Sequence, residues 1–124
     1  MTADPQVGPE DQVLASEAEL DRRLRWIMGH TFSIDDLVAC CDADGVRGIS
    51  SFDELTFGDY QRAFEARDKW AKLGWPLDRA VFVRRLQEIR EIRNDVMHFK
   101  PDPLPKDAVE RLRRLLQLLK EFTR

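Results

Sequence analysis

The stretch from Lys106 to Thr123 constrains the fold most. Its apolar residues Val109, Leu112, Leu115, Leu116, Leu118, Leu119 and Phe122 recur at helical spacing. At about 100° per residue they cover well over a third of the helix circumference. One neighbouring helix does not need so wide an apolar face. A helix of this kind packs against several helices of its own bundle or against another subunit. Pro101, Pro103 and Pro105 separate it from what precedes, because neither a proline nor its predecessor favours a continued helix. The reading that follows is all-α.

Length and composition agree with that reading. The 124 residues are 43% hydrophobic and 35% charged, enough for one domain with a core of its own and too apolar for a disordered chain. Residues 1–10 are expected to form a flexible tail and residues 11–124 a single helical domain. No apolar run approaches the roughly 20 residues that cross a bilayer, and no signal peptide is visible. Cys40 and Cys41 are adjacent. Neighbouring cysteines rarely bridge, and no second Cys or His pair stands at zinc-ligand spacing. A reducing cytoplasm is the expected location, and no metal or cofactor is called for.

Charge is unevenly distributed. From Arg79 to Arg124 there are twelve Lys and Arg against seven Asp and Glu, whereas the first 78 residues hold eight against sixteen. The basic half permits a phosphate-bearing ligand without requiring one.

In chain order, a first helix is expected over about Asp11 to Gly29, with Leu20, Leu24, Ile27 and Met28 on one face. Ser16 and Glu19 form a capping box if it starts late. Ser33-Ile34-Asp35-Asp36 signals a short helix to about Asp42. Asp42-Ala43-Asp44-Gly45 has the outline of a calcium loop but lacks the later ligands and the terminal glutamate. Gly45 to Leu55 reads as a loop with room for a brief extended piece. Thr56, boxed by Asp59, caps a helix that buries Tyr60, Ala63 and Phe64. A helical turn over Arg67 to Leu73 ends at Gly74, with Trp70 and Trp75 as core residues at the corner. Asp78 then caps the longest helix, which runs to about Phe99. His30, at a helix end, reads as a capping or surface residue.

Within that long helix, Phe82, Leu86, Ile89, Val96 and Met97 make one apolar stripe, and Arg93 falls near its middle. A guanidinium aimed into an apolar face costs free energy unless an anion or a hydrogen-bond acceptor meets it. The plainer account is an arginine held by an acidic residue or by carbonyls, with His98 placed favourably at a helix C-terminus.

The run Arg93-Asn94-Asp95-Val96-Met97-His98 also resembles the motif of the HEPN superfamily (higher eukaryotes and prokaryotes nucleotide-binding domains). That motif is an arginine, four to six residues and a histidine, commonly with a polar residue directly after the arginine. The wider Glu-Ile-Arg-Asn-Asp-Val-Met-His-Phe wording is similar to a branch with phenylalanine after the histidine. The resemblance spans Phe57 to the C-terminus. It implies a HEPN-like bundle of four to five main helices with short helical turns. It also implies metal-independent RNA cleavage by a homodimer whose motifs meet across a two-fold axis, as a toxin or defence effector with a regulatory or antitoxin partner. On that reading His98 transfers protons, Arg93 grips phosphate, Asn94 orients the imidazole or the scissile group, and Arg90 and Lys100 bind the RNA. The alternatives are a non-catalytic dimerisation or RNA- or nucleotide-binding module, or a regulatory partner of another protein. On a straight helix His98 lies about 140° around from Arg93. Either the last turn unwinds, or His98 serves the arginine of a second copy.

Overall fold

The computed structural model describes residues 9–97 and 107–123. It is all-helical: α1 Pro9–Thr31, α2 Ile34–Cys41, α3 Phe57–Glu65, α4 Arg67–Leu73, α5 Arg79–Met97 and α6 Ala108–Phe122, with a 3₁₀ turn at Phe52–Glu54. Among the described residues there is no strand and no helix long and apolar enough to cross a membrane.

The local signals explain most of these boundaries. Ser33 Oγ accepts from the Asp36 amide while the Asp36 carboxylate accepts from the Ser33 amide, and Thr56 with Asp59 repeats the device. Each box satisfies two amides that a helix start would otherwise leave unpaired. Gly74 ends α4 in the left-handed region at φ 67°, which side chains with a Cβ enter only at a cost. Asp78 Oδ1 accepts from the Val81 amide at the start of α5. Three expectations need correcting. α1 begins at Pro9, so residues 9 and 10 belong to the helix and not to the tail. Ser16 and Glu19 lie inside α1 and form no capping box. The Gly45–Leu55 loop carries a 3₁₀ turn in place of an extended piece.

α6 packs chiefly on α1, and α3 on α5, with α1 touching α3 and α5 as well. The seam of α1 is Val13, Leu20, Leu24, Ile27 and Met28; that of α5 is Phe82, Leu86, Ile89 and Ile92. Between them sit Tyr60 and Phe64 of α3, both fully buried. Leu112, Leu115, Leu116 and Leu119 of α6 are buried too, and Val109 and Leu118 pack against the same core. The wide apolar face of α6 is thus taken up largely by its own bundle. At the α3–α4–α5 corner the Phe82 ring lies 5.0 Å from Phe64, 5.4 Å from Trp70 and 5.6 Å from Trp75, and Phe122 stacks on Trp75 at 5.3 Å. The two tryptophans are partly buried and pack against the core.

A clasp of charges holds the loop before α3. The Asp59 carboxylate, wholly buried, receives Arg47 Nη1 and Nη2 at 2.6 and 2.9 Å, Arg62 Nη1 at 3.1 Å and the Thr56 amide at 2.8 Å. Burial alone would raise this carboxyl; the Arg47 guanidinium and the Thr56 donors outweigh it and hold it below the ordinary carboxylate range. Asp42 accepts from the Ile49 and Arg47 amides, both at 3.0 Å, which lowers its pKa. Its two oxygens thereby close the loop that follows α2.

Candidate functional site

α5 brings Arg93 to the edge of its buried seam. Ile89 and Ile92 point into the core, and Arg93, one position on, is left half-buried with its side chain 34% exposed. Arg93 Nε lies 2.8 Å from Glu17 Oε1 on α1. The N–H does not point at that oxygen, so Nε has charge contact without a directed hydrogen bond. An ion pair tolerates this misalignment because Coulomb attraction depends on distance far more than on angle. Glu17 is the more enclosed partner, 15% exposed. Its burial raises the carboxyl pKa, Arg93 pulls it down, and the Asp21 charge pushes it up again, leaving it raised overall.

The pair opens on a cleft of about 660 Å³ lined also by Asp21, Arg22, Arg25, Thr56 and Phe57. One wall is a relay: Arg25 Nη2 pairs with Asp21 Oδ2 at 3.1 Å, and Arg25 Nε donates to Tyr60 Oη at 3.2 Å. Burial and the Asp21 charge push the Tyr60 phenol up to about 12, so it stays neutral near pH 7.

The other predicted residues fall as follows. Asn94 is exposed on α5 directly after Arg93. Arg90, one turn earlier on the same side of the helix, is half-buried. Its guanidinium lies against the first turn of α3, where a Cβ on Gly58 would meet Nη2 at 3.5 Å. Among the described residues Arg90 has no ion-pair partner. Arg93 and Arg90 therefore both lie beside the first turn of α3, whose leading amides are already met by the Thr56–Asp59 box. His98 and Lys100 lie outside the described residues, as do Phe99 and the three prolines after it. The side chains of Val96 and Met97 lie outside them too.

Glu17 was missed by sequence reasoning, although a signal existed. It falls between Val13 and Leu20 at the 4–3 spacing of the α1 seam, a carboxylate where the pattern calls for an apolar residue. Two opposite charges, each misplaced on its own apolar stripe, are natural partners.

Compared with family models, with curated proteins and with solved structures, the chain matches none of them.

Proposed function

We propose that this chain is a HEPN-type endoribonuclease that cuts RNA through the substrate's own 2′-hydroxyl, as a homodimer in which two copies of the Arg93-to-His98 motif meet. The position of Arg93 carries the reading: a guanidinium at the rim of an apolar seam, facing an open cleft, with Arg90, which has no ion-pair partner among the described residues, one turn earlier on the same helix. Cleavage of this kind needs a proton acceptor, a proton donor and charge stabilisation at the phosphate. Arg93 supplies the last in a bidentate fork that keeps its charge at any working pH. His98 supplies proton transfer, since an imidazole titrates near neutrality. Asn94 orients, and Arg90 and Lys100 hold the RNA backbone. Each chain has one motif histidine, so a two-fold pair provides both acid and base. The chemistry asks for no metal or cofactor. A toxin or defence role, with an antitoxin-like partner, is the corresponding biological setting.

The test is incubation of unstructured RNA with the full chain in EDTA. Wild type should cut, and Arg93→Ala and His98→Ala should each be at least about 100-fold slower. RNA left intact at high concentrations of wild-type protein would end the catalytic reading.

A second reading has its own observation: Glu17 already answers the Arg93 charge within the chain. In that case Arg93 is a structural ion pair in a non-catalytic helical module. Glu17→Gln separates the two. Freed from its carboxylate, a phosphate-gripping Arg93 should bind RNA more tightly, whereas a structural one should leave RNA binding as it was.

A further inference from the structure

Trp26 is out of place. It stands on α1 with 46% of its surface exposed, and the side chains around it on the helix are Glu19, Arg22, Arg23 and His30. A tryptophan that served as a packing knob for another helix would have apolar neighbours at three and four residues. Here they are Arg22, Arg23, Gly29 and His30.

Its geometry is fixed. The His30 ring stacks on the indole with centroids 3.9 Å apart and planes 20° from parallel. His30 Nδ1–H donates to the Trp26 carbonyl oxygen at 2.8 Å, which holds the imidazole in place. One face of the indole is covered in this way, and the ring borders a hollow of about 310 Å³ together with Glu19, Arg22, Arg23 and Thr123. Arg23 and Lys120 both reach Glu19, at 3.3 and 3.6 Å, so the one acid there is more than neutralised. Arg22 is exposed and has no ion-pair partner among the described residues. It lines both this hollow and the Arg93 cleft, so one side chain borders both depressions.

We infer that Trp26 is a stacking platform for an unpaired base of single-stranded RNA, and that Arg22 holds the backbone between that base and the Arg93 cleft. This deepens the ribonuclease reading and rests on it for the identity of the ligand. The chemistry fits: an aromatic face takes any base, a neighbouring guanidinium takes phosphate, and both features lie along one helix. The track from Ala18 to His30 is roughly 18 Å long at 1.5 Å per residue. A duplex has no free base face to offer and is excluded from the platform.

The test is fluorescence anisotropy of the full chain with a labelled 2′-O-methyl single strand, an abasic strand of equal length and a duplex. None of the three offers a 2′-hydroxyl to attack when the abasic strand and the duplex are 2′-O-methylated too, so cleavage does not interfere. Trp26→Ala should weaken single-strand binding about tenfold and leave abasic-strand binding unchanged, while Trp26→Phe keeps most of the affinity. Arg22→Ala should weaken both strands and reduce the salt slope by about one. The inference is overturned if Trp26→Ala binds like wild type, or if the abasic strand and the duplex bind as tightly as the base-bearing strand. It is also overturned if the substitution changes the mass seen by light scattering, which would make Trp26 a contact between copies. A chain that never cuts RNA would still show the Trp26-dependent difference, so the two readings fail separately.

Discussion

At the scale of single residues, the informative positions are charges placed where the helical pattern asks for apolar side chains. Arg93 was legible as such a position from the sequence, and the structure supplies Glu17 as its answer. Asp59 is the opposite case, a fully buried carboxylate whose partners were legible only in part. Its capping role with Thr56 followed from spacing, but Arg47 reaches it across a loop whose course no local pattern dictates. The two acids also respond to pH with opposite sign. The Asp59 pKa is lowered by folding, so its contribution is complete above the unfolded value near 4 and is lost as pH falls through the lower folded value. The Glu17 pKa is raised, so its ionised form is disfavoured by the fold and stability recovers as pH falls through that raised value. Asp59→Asn should therefore cost about 2 kcal/mol at pH 7, from a weakened cap and a lost ion pair whose cations remain solvated. Urea titrations should show the gap between wild type and variant closing below about pH 4. A gap that stays constant down to pH 2 would mean the carboxylate charge contributes nothing.

At the scale of elements, the ends of helices were easier to read than their faces. Ser33, Thr56 and Gly74 act locally, through bonds to residues three or four away, and such signals survive without knowledge of the fold. The start of α1 is hard to read because Pro9 and Glu10 precede any periodic apolar residue, yet proline is well suited to a first helical turn. The placement of α6 could not be settled from its own sequence, since an apolar face fits a second subunit as well as its own bundle. Gly74 offers a clean test of the local signal. Nothing lies within 4 Å of where its Cβ would be, so the cost of a side chain is conformational alone. Gly74→Ala should lower stability by about 1 kcal/mol, seen as a shifted urea midpoint with an unchanged slope. An unshifted midpoint would show that the left-handed turn is not retained.

At the scale of the whole molecule, the described residues leave little apolar surface over. Among the described residues the exposed large apolar side chains are Leu14, Trp26, Val46 and Val81, and they stand on separate elements or separate turns. Single exposed side chains do not make the contiguous patch of an obligate dimer. A dimer built on described surface is accordingly polar and dependent on concentration. Light scattering should give a mass rising from 14.5 kDa towards twice that value over the micromolar range. A mass that stays at one chain would remove the composite site, and with it the main support for catalysis.

The clasp around Asp42 and Asp59 has a further consequence. Between Asp42 and Leu55 the chain offers a protease like trypsin one basic residue, Arg47, in a stretch exposed enough to invite a nick. Yet the Arg47 amide ends on Asp42 and its side chain on Asp59. The residue that would be recognised is the one that ties the segment down. Digestion there must wait for the segment to lift away, so the longest described connection between helices is guarded by its own point of attack.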